Sequence, residues 1–428
     1  MKKRQAFTMG EMSYQSYRPL KIPGIQTRYL VLVAVMIALF LVSCTPGNVI
    51  GSAEGWTPVT VDSSTDTLYS ANRAGEVIAL DTYSGDLIWR YSPPEEEQLG
   101  GVFGTPAIGP DKLYVAGSVG DGDKGRLVAL KLDRVSSTRI EFNRGEWAVD
   151  IQLGPFVGAP TVYGETVLIG SEDGRLYAFD TANGEEIGYF DTEGLKQGKD
   201  KDKRVWSTPI VVDGIAYFGG MDDFFYAVEL SETLVDGRRQ LDMVLRWKYK
   251  TGGVVLGQPL AIGGLIVFGS FDRKVYAFEI GDISNGTGEE RLRWSFSSEN
   301  WFWASPVSDG KNIYTADMDG KIFALPIDRR QGENAKWIQD LGGAVAATPV
   351  ISGGKLVVAT MDGLISRLGL STGSVEKVPI ALDKEVRAPL AVEQNLDDNK
   401  VFVGDRESRI WSINVRAWQN NLLFDAGD

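Results

Sequence analysis

One short pattern returns eight times along this chain of 428 residues: a small or polar residue, then proline, then an apolar run. The copies are Thr57-Pro58, Thr105-Pro106, Ala159-Pro160, Thr208-Pro209, Gln258-Pro259, Ser305-Pro306, Thr348-Pro349 and Ala388-Pro389, spaced by 48, 54, 49, 50, 47, 43 and 40 residues. A second pattern keeps step with the first. It reads Val77-Ile78-Ala79-Leu80, Leu127-Val128-Ala129-Leu130, Leu176-Tyr177-Ala178-Phe179, Phe225-Tyr226-Ala227-Val228, Val275-Tyr276-Ala277-Phe278 and Ile322-Phe323-Ala324-Leu325. Two degenerate copies follow, Leu364-Ile365-Ser366-Arg367 and Ile410-Trp411-Ser412-Ile413. Two patterns in step at this period describe one supersecondary unit, repeated because a single copy cannot bury its own apolar faces.

Each unit reads as four short strands. Proline suits the first residue of a strand, where no ladder donor is needed. An aliphatic second strand follows, such as Thr166-Val167-Leu168-Ile169-Gly170. Then comes an Asp-Gly turn, as in Asp173-Gly174, Asp319-Gly320 and Asp362-Gly363, which supplies the positive φ of a tight hairpin. The Tyr-Ala-Phe-type run is the third strand, and segments such as Leu87-Ile88-Trp89-Arg90-Tyr91 are the fourth. Past residue 50 no stretch has helical periodicity. The expectation is an all-β chain, an eight-bladed β-propeller of four-stranded antiparallel blades. Strands buried on both faces explain the aliphatic runs without strict alternation. Ring closure is expected to borrow a strand across the termini, from residues 51–57 or from the tail Trp418 to Phe424.

The turn between third and fourth strands is more specific. Ala79-x-Asp81-x-x-Ser84-Gly85-Asp86-x-x-Trp89 resembles the tryptophan-docking repeat of the PQQ-like (quinoprotein-type) propeller family. Ala178-x-Asp180-x-x-Asn183-Gly184-Glu185 fits the same frame with Gly188 where tryptophan is usual, and Trp247 and Trp294 follow longer insertions. The resemblance implies that Trp89, Trp247, Trp294 and Trp337 pack against the neighbouring blade as structural residues. Eight repeats behind Leu41-Val42-Ser43-Cys44, which reads as a lipobox, also resemble the periplasmic lipoproteins that assist outer-membrane barrel assembly.

That lipobox is the reading of the N-terminus. Lys2, Lys3, Arg4, Arg18, Lys21 and Arg28 stand against one acid, Glu11, before an apolar run from Leu30 to Val42 and then Ser43-Cys44. Basic region, apolar region and small residue make a secretory signal. The chain's single cysteine sits directly after the small residue, where Leu41-Val42-Ser43-Cys44 resembles a lipobox whose thiol is acylated. An uncleaved anchor is the alternative, because no charge falls between Leu30 and Ile50. Either way the remainder is extracytoplasmic, at the cell membrane or outer membrane. The division expected is 1–43 signal peptide, 44–55 tether and 56–428 propeller. Without residues 1–43, 38 basic and 56 acidic residues leave a net charge of −18. Such a body is repelled by anionic headgroups and by nucleic acid, so the lipid anchor carries membrane attachment and no nucleic-acid partner is expected.

Composition narrows the chemistry. There is no histidine, so Ser-His-Asp and Cys-His catalysis are excluded along with histidine-ligated metals. One cysteine, assigned to the anchor, excludes disulfide scaffolds and four-thiolate zinc. Resemblance to quinoprotein dehydrogenases would imply a PQQ under an adjacent cysteine pair, and this chain has no such pair. Asp317-x-Asp319-Gly320 and Asp121-Gly122-Asp123 offer alternate oxygens suited to calcium, yet Asp-Gly recurs at equivalent turns and no glutamate completes a loop, so turn chemistry is the reading. No catalytic, cofactor or metal residue is singled out. Lys196–Arg204 and Pro93-Pro94-Glu95-Glu96-Glu97 read as solvated loops.

One constellation remains. Three residues before the repeat proline stand Phe103, Val157, Trp206, Leu256, Trp303, Ala346 and Val386, with Trp301 and Phe302 beside Trp303. The register puts them at one mouth of the central channel. Phe103, Trp206, Trp301, Phe302 and Trp303 are the candidate partner-binding residues, against the alternative that they pack the funnel. The expected function is a monomeric, non-catalytic scaffold that binds envelope or outer-membrane proteins through its loops and holds no cofactor. The alternatives are a PQQ-dependent dehydrogenase-like enzyme and a sensor or solute-binding module using the channel.

Overall fold

The computed structural model describes residues 55–72, 75–94, 97–119, 124–132, 145–152, 154–192, 204–281, 288–393 and 399–426. These residues form eight separate four-stranded antiparallel sheets, in which hydrogen-bonded neighbours follow sequence order. The blades span residues 59–91, 107–151, 161–191, 210–250, 260–297, 307–340, 350–381 and 391–425. Helical structure among the described residues is confined to short 3-10 turns, such as Glu289–Arg291. First strands of adjacent blades touch between blades 2 and 3, 4 and 5, 6 and 7, 7 and 8, and 8 and 1, so these strands line the channel.

The core is divided accordingly. Eight buried apolar clusters sit one at each blade-to-blade interface. Between blades 4 and 5, for example, Phe225 stacks on Phe268 with ring centroids 3.8 Å apart and Trp247 covers both strands. Full burial of each such side chain contributes about 1.5–3 kcal/mol, so the ring is held by its interfaces.

The third and fourth strands build these interfaces in a repeated way. The alanine of the third strand stands opposite the tryptophan of the fourth: Ala79 and Trp89, Ala129 and Trp147, Ala227 and Trp247, Ala277 and Trp294, Ala324 and Trp337. In blades 1 to 5 the register shifts immediately after that alanine, a bulge that bends the strand and tips the fourth-strand side chain toward the next blade. There the indole lies on the glycine of the next blade's last turn. A Cβ on Gly184 would stand 2.5 Å from the Trp147 ring, one on Gly288 2.8 Å from the Trp247 ring, and one on Gly373 would collide with Trp337. The indole N–H of Trp147 donates to the Thr181 carbonyl at 3.1 Å and that of Trp337 to Leu370 at 2.9 Å. Trp89, Trp247, Trp294 and Trp337 are all buried, as the family resemblance implies.

Where the repeat is imperfect, other groups fill the seam. Between blades 5 and 6 the Arg329 guanidinium sits 4.9 Å from the Trp294 ring centre, and burial pulls its pKa below the usual arginine value. Between blades 3 and 4, Gly188 leaves room for the backbone of Leu241, carried on a long hairpin of blade 4 made by Phe224–Val235 and Arg238–Lys250. Arg239 fastens that hairpin to blade 3, donating to the Glu165 carbonyl at 2.9 Å and pairing with Asp180. Between blades 7 and 8 the direction reverses. Trp418 of blade 8 donates back to the Val378 carbonyl at 2.8 Å, with the Arg367 guanidinium 5.3 Å from its ring.

Closure differs from the expectation. Among the described residues no strand is exchanged across the termini: the tail strand Gln419–Asp425 is the fourth strand of its own blade. The seam between blades 8 and 1 is closed by side chains instead. Val59, Leu68, Ile78 and Leu80 pack on Phe402 and Ile410. Buried Thr82 donates to Glu393 at 2.9 Å, and Thr57 donates to the Asp405 carbonyl at 2.6 Å.

Gly373 combines a φ of +71° with the Trp337 ring in the space a side chain would need, whereas Gly310 has a φ of +85° and nothing near it. Gly373→Ala is therefore predicted to lower stability by about 1–3 kcal/mol beyond the cost of Gly310→Ala, measured by urea unfolding.

Candidate functional site

The winding of each blade decides which groups meet at the channel. The chain leaves an outer fourth strand, crosses the top of the ring and enters the next inner strand. Antiparallel alternation brings the turn between second and third strands to the same face. This loop face therefore collects the residues before each repeat proline and the aspartate-rich turns.

The aspartates act on their own turns. Asp173 accepts from the Arg175 N–H at 3.0 Å and from the Tyr177 hydroxyl at 2.6 Å; Asp222 and Asp272 accept in the same way from Tyr226 and Tyr276 at 2.5 Å. Asp317 takes the N–H groups of Asp319 and Lys321, each at 3.0 Å, and pairs with Ser298. Asp121–Asp123 lie outside the described residues. Burial raises the Asp222 carboxyl above the ordinary aspartate value, partly offset by the Tyr226 hydroxyl.

The residues before the prolines join blade to blade. Thr208 Oγ1 accepts from the Ala159 N–H at 2.9 Å, Ser305 Oγ from Gln258 at 2.8 Å, and Thr348 Oγ1 from Ser305 at 3.3 Å. Ala159 is buried, so its N–H must find an acceptor, and the hydroxyl residue before the next repeat proline supplies it.

Inside this collar lies a cavity of about 360 Å³ at the channel mouth. Phe103, Trp206, Trp303, Val157, Leu256 and Ala346 all line it. Trp206 is nearly buried. Its indole donates to Glu172 at 2.9 Å, and the Arg204 guanidinium lies 4.7 Å from its ring. Trp301 and Trp303 are half-buried and flank Phe271, which stacks on Trp301 at 5.0 Å and meets Trp303 at 5.8 Å. Phe302 points the other way, fully buried beside Gly269 and Phe323. Val386 is likewise buried in the core between blades 7 and 8. Cys44 lies outside the described residues, as do residues 193–203 of the polar insertion.

Two aromatic residues escape a count made back from proline. Trp56 stands two residues before Pro58 rather than three, and its ring meets Phe103 at 5.5 Å and Trp303 at 6.3 Å. Phe271 sits in the turn after the second strand of blade 5. The one charged residue of the lining is Arg387, paired with Glu385 at 2.6 Å. Around it the rim is a chain of ion pairs: Glu385 with Arg406 at 2.7 Å, Lys384 with Glu407, and Lys321 with Glu299. The mouth thus offers apolar rings within a rim of matched charge. Among the described residues no cluster of three or more acidic or thiol groups is arranged to hold a metal ion.

A family model described as "Outer membrane protein assembly factor BamB" matches residues 52–232 and 279–424. The chain belongs to this BamB family. Curated BamB proteins of Moranella endobia and Bordetella pertussis are similar to it at 22% identity over 363 residues and 24% over 328. These alignments cover 81% and 76% of this chain and 82% and 74% of those relatives. The crystal structure of BamB from Moraxella catarrhalis superposes with a TM-score of 0.60 at 15% identity, covering 83% of this chain and 95% of that one. A computationally designed protein, Ika8, superposes as well, at 0.60 and 14% identity. These two structural likenesses describe the ring, and the family match describes the lineage.

Because the folded pKa of Asp222 is raised, native protein holds that proton more tightly than unfolded chain. Its contribution is fully present below the unfolded aspartate value near 3.8 and falls as pH rises through the folded value. Asp222→Asn is predicted to flatten that part of the curve of stability against pH, read by thermal unfolding from pH 3 upward.

Proposed function

We propose that this chain is a non-catalytic scaffold in outer-membrane protein assembly, tethered by an acyl group on Cys44 and working as a monomer that holds envelope proteins against its loop face. The family match over most of the chain carries the reading, since the curated relatives are named assembly factors. The geometry supports it physically. Half-buried Trp301 and Trp303 offer apolar area at a rigid rim, and aromatic anchors are the groups that dominate protein–protein affinity. The ion pairs around them are already matched within the chain, so they fix orientation more than they add affinity. Phe103 and Trp206 stand behind these rings as supports, each largely buried. Phe302 supports the rim from the core side.

Two experiments test the reading. Deleting the gene should lower the folded, heat-modifiable fraction of outer-membrane barrels, and wild-type chain should restore it. Trp301→Ala with Trp303→Ala should restore it poorly while keeping the melting temperature close to that of wild type. Undiminished barrel folding in the deletion strain would sink the proposal. For the tether, wild-type chain should incorporate labelled palmitate and sediment with membranes, whereas Cys44→Ala should take up no label and appear in the soluble fraction.

A further inference from the structure

Two residues before the repeat proline, the chains of adjacent blades pass so close that side chains are nearly excluded. Blades 2 to 7 carry Gly104, Gly158, Ser207, Gly257, Ala304 and Ala347 there, and blade 8 carries Arg387. A Cβ on Gly158 would stand 2.7 Å from the Trp206 carbonyl oxygen, and one on Gly257 2.8 Å from that of Trp303. Blade 1 inverts the order: its glycine, Gly55, comes first, and the crowded position holds Trp56.

Gly55 takes a φ of +59°, with the Val102 backbone where its side chain would be. The Trp56 N–H donates to the Val102 carbonyl at 2.8 Å. This hold turns the indole into the channel mouth. There it meets Phe103 of the adjoining segment edge-on, at 89° between ring planes, and reaches across to Trp303 on the way into blade 6. Edge-to-face and tilted contacts at these separations are the arrangements aromatic pairs prefer. The indole is nonetheless only half-buried, and the cavity of about 360 Å³ remains beside it. The chain has thus laid one of its own rings into a receptor built from others. The cavity's single charge, Arg387, is held by Glu385, which also takes Arg406, so an occupant has no need to bring a counter-charge of its own.

We infer that the mouth is a receptor for a neutral aromatic side chain presented on a loop of a partner protein, and that Trp56 is an internal occupant displaced when that ring enters. This inference rests on the scaffold reading and names what the loop face takes hold of. An internal competitor weakens apparent affinity by the fraction of time it leaves the site open, so it sets a threshold against casual apolar contacts.

The test uses the full chain in detergent with 5-fluorotryptophan in place of tryptophan, the Trp56 fluorine resonance being assigned from its loss in Trp56→Phe. The probe is N-acetylphenylalaninamide. It should move the Trp56 resonance saturably to the solvent-exposed position, leaving the buried Trp89 and Trp247 resonances in place. By calorimetry, Trp56→Ala should bind the probe about tenfold more tightly or better than wild type, and Trp56→Ala combined with Trp303→Ala should return binding to the wild-type level or weaker. Removing an indole can open a hole that binds rings unaided, so the wild-type resonance decides. A Trp56 signal that stays put at the solubility limit of the probe overturns the inference. If it stays put while the deletion strain still loses folded barrels, the scaffold reading stands without it; if it moves while barrels fold undiminished, the receptor stands without that role.

Discussion

A tryptophan ring lying flat on the glycine of the next blade's turn is the contact on which the rest of this ring depends. It draws on four features: an alanine opposite the indole, a bulge to tip it outward, a left-handed glycine to receive it and a carbonyl to take its N–H. Trp147 on Gly184 has all four, and Trp337 on Gly373 has all but the bulge. Apolar burial alone would let eight sheets stack at many angles. A planar donor seated on a side-chain-free turn fixes how far each blade rotates relative to the last, and that rotation sets where the channel mouth and its rings fall.

The departures show which part of that contact matters. When glycine replaces the tryptophan at position 188, the neighbour's long hairpin fills the space, and Arg239 secures it. When blades 7 and 8 lose both alanine and docking ring, Trp418 reaches back from the other side. Arg329 covers Trp294 where the receiving turn is longer. In each case the seam stays filled while the residue filling it changes, as expected where packing density governs.

Much of this could be read from the chain alone, because it follows from local chemistry. Proline at a strand start, Asp-Gly at a hairpin and Ala-Trp across a bulge each announce themselves within a few residues, and their spacing gave the number of blades. The seam between blades 8 and 1 could not be read that way, since Val59 and Phe402 meet only once the ring is complete. The candidate site was half legible. Counting back from proline found Phe103, Trp206 and Trp303, yet it took Trp301-Phe302-Trp303 as a block, although alternate residues of an extended chain face opposite ways and Phe302 turns to the core. It passed over Trp56, where glycine and ring have changed places, and Phe271, which arrives from a different loop.

Among the described residues every blade takes its four strands from one consecutive stretch of chain, and the last seam is shut by side-chain contacts. A propeller whose last strand lies in its first blade must wait for synthesis to finish before that blade is whole. This one can complete each sheet as it emerges and lay it on the one before, leaving a single late event, the meeting of two finished faces.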